Sequence, residues 1–428
     1  MTDERSSEHA SVLSVDARHV WHPYTQHHTW PPPLDAVRTE GAYIHTRDGR
    51  RIFDGISSWW VTLHGHGQPE IAHAIAEQAR TMEQVIFTTF THEPAALLAR
   101  DLCAVLPSGL FRIFFSDDGS TAVEAGIKMA MQYHANRGTP RTQIVAIDHA
   151  YHGDTFGAMS VSARSVFTNP FASHLFHTHH LPSPHEGDTV SALTTLLDTT
   201  AHDIAAIIVE PLVMGSGGMI VYDESILRAI RDLSRARGVL LIADEVLTGF
   251  GRTGPLFACE RAGISPDILC MSKGITGGFL PMGATAATDE IFDAFLSDDR
   301  RRTLFHGHSY TANPIACAAA RASLALLNET SATRRATIEA THRTQLARLA
   351  SHPLVRTPRV LGTIAAFDLA NGNDYLNPIG RQLADFALAH DILLRPLGSV
   401  VYILPPYCST ADELQTVYSV IEQFLATQ

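Results

Sequence analysis

Short apolar runs recur through the middle of the chain, each followed by a stretch with helical spacing. The runs are Phe111-Arg112-Ile113-Phe114-Phe115, Ile144 to Ile147, Ile204 to Val209, Val239 to Ala243 and Ile268 to Met271. Near-continuous β-rich runs of this length suit strands buried on both faces, and so predict a mostly parallel sheet within an α/β fold. Ahead of them, the first 35 residues read as irregular, with a stop at Pro31-Pro32-Pro33. Residues 42 to 55 predict a hairpin, with Ala42-Tyr43-Ile44-His45 and Arg51-Ile52-Phe53-Asp54 joined through Asp48-Gly49. A helix is expected over about 68–85. Segment 183–203 is polar and predicts a mobile loop and a short helix. Pro314 sits where a first-turn proline opens an Ala-rich helix. The last hundred residues alternate helix and strand patterns, with strands at Thr363 to Phe367 and Val400 to Leu404, and predict a smaller α+β unit. No internal repeat appears.

Composition narrows the class. The chain has 428 residues, 45% of them hydrophobic and 18% charged, which excludes a largely disordered protein. Its formal net charge of −12 argues against a nucleic-acid binder, which needs a basic footprint. No window holds the roughly 18 uncharged apolar residues of a membrane span. Met1 to Val20 is polar and charged, without the apolar centre of a signal peptide. Cys103, Cys259, Cys270, Cys317 and Cys408 are scattered and odd in number, which suits a reducing cytoplasm better than a disulfide framework. Only two lysines occur, Lys128 and Lys273, against 30 arginines. Coding bias explains the arginines; a lysine kept in such a chain suits a task that needs a deprotonated amine, which arginine cannot supply. All four tryptophans (Trp21, Trp30, Trp59, Trp60) fall in the first 60 residues.

Three motifs carry candidate chemistry. The run ending in Asp244-Glu245 places a carboxylate at the carboxyl end of a buried strand, where ligands of parallel sheets bind. A buried carboxylate needs a partner, and a protonated pyridine nitrogen serves as well as a helix cap or an ion pair. The run ending in Ser272-Lys273-Gly274 places a lysine at another strand end. Desolvation there lowers its proton affinity and makes it a nucleophile; a snorkelling surface lysine is the alternative. Lys128, in mid-helix, reads as structural. Third, Phe115 to Glu124 runs from strand through Gly119-Ser120 into a helix, with Thr121-x-x-Glu124 resembling a capping box. The free N–H groups of such a helix start suit a phosphate, or simply an ordinary capped helix. Acid, lysine and phosphate cradle together suit pyridoxal phosphate (PLP).

The run Asp244-Glu245-Val246-Leu247-Thr248-Gly249-Phe250-Gly251-Arg252-Thr253-Gly254, followed by Ser272-Lys273-Gly274, resembles the class III (subgroup II, ω-type) aminotransferase signature. The resemblance spans about residues 18 to 425. Within the class, several stretches resemble the biotin-pathway branch, which transaminates 8-amino-7-oxononanoate to 7,8-diaminononanoate with S-adenosylmethionine as amino donor. They are Trp21-His22-Pro23-Tyr24, Ser57-Ser58-Trp59-Trp60, His64-Gly65-His66-Gly67, Thr91-His92-Glu93-Pro94, Tyr151-His152-Gly153-Asp154-Thr155, and Arg395-Pro396 through Tyr402 to Pro405-Pro406-Tyr407.

The resemblance implies fold-type I PLP architecture: a large domain over 61–325, with 1–60 and 326–428 forming a small one. It implies a cytoplasmic homodimer with shared active sites and ping-pong exchange. Lys273, Asp244 and Tyr24 are the implied catalytic residues. Lys273 would bond the cofactor's aldehyde, Asp244 would hold its ring nitrogen, Gly119 and Ser120 its phosphate, joined by Ser309 from the other subunit. Tyr151 would stack on the ring, with Glu210 close by. Tyr24, Trp59, Trp60, Tyr151, Lys273, Gly307, Arg395 and Tyr402 would meet the substrate. An aromatic tube closed by one guanidinium suits a long aliphatic oxo-acid.

The chain departs from the family pattern at three places. His306-Gly307-His308-Ser309-Tyr310 stands where His-Gly-Pro-Thr-Phe is usual, Asp118 where Ser is usual, and Val246-Leu247 where Ile-Ala is usual. These leave lysine as an alternative donor, and another ω-amino acid or amine aminotransferase using pyruvate or 2-oxoglutarate as an alternative function. An aminomutase on the same fold, which would need no external donor, is a further alternative. A zinc hydrolase built on His64-x-His66 or His306-x-His308 is the reading from a different class, with no carboxylate-plus-His set to complete it; no metal is expected.

Overall fold

The computed structural model describes residues 12–369 and 375–428. The part of the polar start that covers residues 1–11 lies outside the described residues. The centre is a seven-stranded sheet. Its strands, in chain order, are β1 (Leu110–Ser116), β2 (Gln143–Ile147), β3 (Thr178–Leu181), β4 (Ile204–Val209), β5 (Leu240–Asp244), β6 (Ile268–Met271) and β7 (Gly283–Thr288). They lie side by side as β1-β7-β6-β5-β4-β2-β3. All pairings are parallel except those of β7, which runs antiparallel to both β6 and β1.

The expected apolar runs form β1, β2, β4, β5 and β6. β4 is buried along its whole length, because helices cover both faces. On one face Ile208, Ile242 and Ile268 meet Val123 and Ile127 of helix α1 (Gly119–Asn136). On the other, Ile207, Val209 and Leu241 meet Leu227 and Ile230 of helix Glu224–Ala236. This is the period-2 alternation of a strand read onto two helices. Burying each such side chain stabilises by roughly 1.5–3 kcal/mol. α1 lies close to the sheet at Gly126, where a Cβ would come within 3.1 Å of Cys270 Sγ.

A smaller unit joins distant parts of the chain. Strands Ala36–Glu40, Tyr43–Thr46 and Arg51–Asp54 form a sheet with Ile392–Leu393, which pairs parallel with Arg51–Asp54. The predicted hairpin is there, Tyr43–Thr46 pairing antiparallel with Arg51–Asp54. A second sheet holds Val355–Leu361, Ile364–Leu369 and Val400–Ile403. Phe53, Ile338, Phe367, Val401, Tyr418 and Phe424 pack in one core between them.

Several expectations need correction. Residues 12–19 are helical, not irregular. The helix expected over 68–85 is Pro69–Thr81, ending where Met82 turns extended. The short helix expected in the polar 183–203 segment is present as Thr189–Thr200, capped by Asp188. Among the described residues no helix is long and apolar enough to cross a membrane.

Candidate active site

The pairing of β5 with β6 sets the chemistry. Asp244 is the last residue of β5 and lies opposite Cys270 of β6, three residues before Lys273. Two neighbouring strand ends therefore deliver a carboxylate and an amine to one cavity of about 390 Å³, lined also by Trp60, Gly119, Ser120, Tyr151, His152 and Glu210. Asp244 is 4% exposed. Its Oδ1 accepts from Val246 N at 3.1 Å, and its Oδ2 lies 2.7 Å from His152 Nδ1. Lys273 keeps a little surface toward the cavity. Burial lowers its proton affinity, and Asp244, Glu210 and Asp118 pull the other way. Its backbone is left-handed, φ 44, a conformation that costs a non-glycine residue and clusters at working sites. Lys273 Nζ lies 5.2 Å from the centre of the Trp60 ring.

Glu210 is fully buried beside them. Burial pushes its carboxyl up to about 7, as does Asp244, while His152 and two hydrogen bonds oppose the rise. Those bonds come from Tyr151 N and Gly215 N, both at 2.9 Å. Glu210 thus fixes the backbone under Tyr151.

β1 feeds α1, whose start faces the same cavity. The capping box is real but starts at Asp118, not Thr121. Asp118 Oδ1 accepts from Thr121 N at 2.8 Å, and Asp118 N donates to Thr121 Oγ1 at 3.0 Å. Glu124, expected to close the box, instead accepts from Thr155 Oγ1 and Gly157 N of the next element. This arrangement leaves the N–H groups of Gly119 and Ser120 at the open helix end, where the dipole favours an anion. Gly153 packs directly on this end. A Cβ there would come within 2.0 Å of Ser120 Oγ, and its φ of +134 also favours glycine. The cavity thus presents a desolvated amine, a buried carboxylate and an anion-binding helix end. These are the three groups that an aldehyde, a pyridine nitrogen and a phosphate on one small molecule require, so PLP fits.

The aromatic residues gather beside this cavity. Tyr24 OH donates to Asp154 and lies 3.4 Å from Tyr151 OH. Burial, with Asp154, pushes the Tyr24 hydroxyl up to about 12. Trp59 packs edge-on against Tyr24 at 5.4 Å. The Arg395 guanidinium sits over the Trp59 ring, 4.0 Å from its centre, a cation–π contact. Arg395 also hydrogen-bonds Tyr375, and among the described residues no carboxylate pairs with it. Tyr402 does not reach the cavity wall. It is 1% exposed and packs edge-on behind Trp60 at 5.9 Å.

Both tryptophans stand on an unusual turn. Ser57, Ser58, Trp59 and Trp60 all have positive φ, from 44 to 75. Four successive non-glycine residues in the left-handed region cost on the order of 1–2 kcal/mol each. Arg252 helps hold the turn. It is 1% exposed and donates to Trp60 O, Thr62 O and Pro405 O.

Gly307 and Ser309 of this chain do not line its cavity. Ser309 O accepts from Gln84 Nε2 at 3.0 Å, and the neighbouring Phe305 and Tyr310 are exposed at 69% and 65%. His308 Nε2 lies 3.8 Å from Asp117 Oδ1 at the cavity rim. Lys128 is on the surface of α1, 3.1 Å from His306 Nδ1. Neither His-x-His pair gathers ligands: His64 meets Ser323 and His66 meets Asp54. No group of three metal-ligating side chains exists among the described residues. His152, Asp154 and Arg252 drew no role from the sequence. Their only signal was membership of the Tyr151-to-Thr155 run and the 244–254 signature.

A family model described as aminotransferase class-III matches residues 24–425. An adenosylmethionine-8-amino-7-oxononanoate aminotransferase of Synechococcus elongatus is 51% identical over 419 residues, covering 95% of this chain and 98% of that one. An enzyme of the same name from Geobacter sulfurreducens is 38% identical, covering 96% of each. Among solved structures, the adenosylmethionine-8-amino-7-oxononanoate aminotransferase of Methanocaldococcus jannaschii superposes with a TM-score of 0.94 at 33% identity, over 98% of this chain and 99% of that one. A PLP-bound amine transaminase from an uncultivated Pseudomonas species superposes with a TM-score of 0.89 at 32% identity, over 96% and 98%.

Proposed function

The chain belongs to the class III aminotransferases, and from that membership we propose that it transaminates 8-amino-7-oxononanoate to 7,8-diaminononanoate in biotin biosynthesis, with S-adenosylmethionine as donor. The enzymes of this family depend on PLP, which supplies an aldehyde to take up the amino group and a protonated ring to draw off carbanion charge. Lys273 offers the amine for that aldehyde. Low in proton affinity, its Nζ takes the proton from the substrate carbon that carries the amine. Asp244, oriented by His152, would hold the ring nitrogen. Gly119 and Ser120 bind the phosphate. Tyr151, seated by Glu210, would pack on the ring, and Tyr24 with Asp154 would receive the substrate's polar end.

The observation that carries the substrate assignment is the Arg395 guanidinium lying over Trp59, with no carboxylate paired to it among the described residues. An aromatic wall ending in an available guanidinium suits an aliphatic acid. Arg395→Ala is expected to raise KM for the oxo-acid about 10- to 100-fold, the worth of one charge-assisted bidentate contact. Steady-state kinetics check this. The function itself is tested by incubating holoenzyme with S-adenosylmethionine and 8-amino-7-oxononanoate and looking for 7,8-diaminononanoate by mass spectrometry. Product with lysine alone as donor would change the donor and keep the pathway. Amine transfer to pyruvate, with no diamine product, would place the enzyme among general ω-transaminases.

The division into 61–325 and a small domain of 1–60 with 326–428 is supported by the sheet shared between Arg51–Asp54 and Ile392–Leu393. A homodimer in which Gly307 and Ser309 serve the partner's site is supported by the exposed aromatics beside them. Dilution to monomer is therefore expected to weaken PLP binding at least about tenfold, by loss of linkage to assembly. Fluorescence titration of PLP across protein concentration measures it.

A further inference from the structure

Asp54 touches none of the groups placed above in the chemistry, yet it is fully buried at the end of strand Arg51–Asp54. Three of the four hydrogen bonds at its carboxylate come from Ile56 and Ser58, at the start of the turn that follows. Oδ1 accepts from Ser58 N at 2.9 Å and Ile56 N at 3.3 Å. Oδ2 accepts from Ser58 Oγ at 2.8 Å and lies 2.9 Å from His66 Nε2. His66 is itself fixed by backbone: His66 N donates to Gly41 O at 2.7 Å, and Gly41 N to His66 O at 3.0 Å. Burial pushes the Asp54 carboxyl up, but His66 and Ser58 together hold it below its usual range.

We propose that Asp54, backed by His66, is a positioning residue for the substrate wall: its carboxylate holds the left-handed turn Ser57–Trp60 and so sets Trp59 against Arg395 and Trp60 beneath Lys273. The turn contains no glycine, so nothing in its own sequence favours positive φ. Its two ends are held separately, the first by Ser57 Oγ on Leu404 O at 2.7 Å and the last by Arg252 on Trp60 O at 3.2 Å. Losing the Asp54 bonds therefore frees the middle of the turn at Ser58 while the ends stay anchored. Trp59, next in the chain and only half-buried, moves most, and with it the platform under Arg395. The cradle of Gly119 and Ser120, with Asp244, stands on the central sheet and stays in place.

The inference rests on the reading of Trp59 and Arg395 as the oxo-acid's binding wall, and the test separates the two. Asp54→Asn and Ser58→Ala holoenzymes are compared with wild type. KM for 8-amino-7-oxononanoate is expected to rise about tenfold or more, with kcat at saturation changed by less than about threefold. In the Arg395→Ala background, Ser58→Ala should add little to KM, because both act through one contact. The near-UV circular dichroism of the tryptophans should change, while the PLP absorbance band stays. Ser58→Ala carries the test if Asp54→Asn does not fold. Unchanged KM and unchanged near-UV spectra in the folded variants would overturn the positioning role. So would a melting-temperature loss with full additivity to Arg395→Ala. If wild type fails to use the oxo-acid, the substrate reading falls, and the near-UV comparison alone still decides whether Asp54 sets the turn.

Discussion

Lys273→Ala is expected to reduce transamination by about 10⁴-fold, the upper range for a positioned group that both bonds the cofactor and moves the proton. The only other lysine, Lys128, lies on the outer surface of α1 beside His306 and cannot substitute. Lys273→Arg should fail equally, because a guanidinium stays protonated and has no free amine to offer. Both losses should appear in stopped-flow and steady-state assays and in disappearance of the lysine-dependent PLP band. The apoprotein of Lys273→Ala should melt no lower than wild type, since the change removes a desolvated amine. Turnover near wild type in either variant would sink the assignment of Lys273.

Asp244→Asn is expected to cost about 10³-fold in kcat while PLP still binds. Opposite charges about 4 Å apart at an effective dielectric near 20 attract by about 4 kcal/mol. That attraction is what keeps a ring nitrogen protonated, and an amide does not supply it. The two hydrogen bonds of Asp244, with His152 and Val246 N, already orient one oxygen each, so the amide keeps the shape and loses the charge. Rapid-scan spectroscopy should show the proton-transfer step slowed and the binding step intact. A variant with full kcat would mean that the ring nitrogen finds its charge elsewhere.

The sheet's interior was legible because burial on both faces writes an unbroken apolar run, as in Ile204 to Val209. β3 and β7 were not. Thr178-His179-His180-Leu181 is an edge strand with polar side chains. Gly283-Ala284-Thr285-Ala286-Ala287-Thr288 is buried but made of small residues, because α1 presses on it closely enough for Thr285 Oγ1 to donate to Ala122 O at 2.7 Å. Lys273 and Asp244 stood out because each follows a buried run, and strand ends are where such folds bind ligands. The groups that orient them did not. His152 is 92 positions from Asp244 in the chain, and only the sheet register brings them together. Asp54 and His66 are 12 apart, but their contact depends on a left-handed turn that no local preference announces. The capping box lies three residues before the Thr121-x-x-Glu124 pattern because Asp118 caps as well as Thr121 does, and Glu124 turns to the next element.

Amino transfer to 8-amino-7-oxononanoate at the Lys273 cavity is decided by half-reactions on the purified holoenzyme. S-adenosylmethionine is added alone, and the PLP band is followed as it converts to the pyridoxamine band. 8-Amino-7-oxononanoate is then added. The expected result is conversion by the donor and full return of the PLP band with the oxo-acid. A donor that converts the band, followed by no return with this oxo-acid, would contradict the account and leave Trp59, Trp60 and Arg395 serving another acceptor.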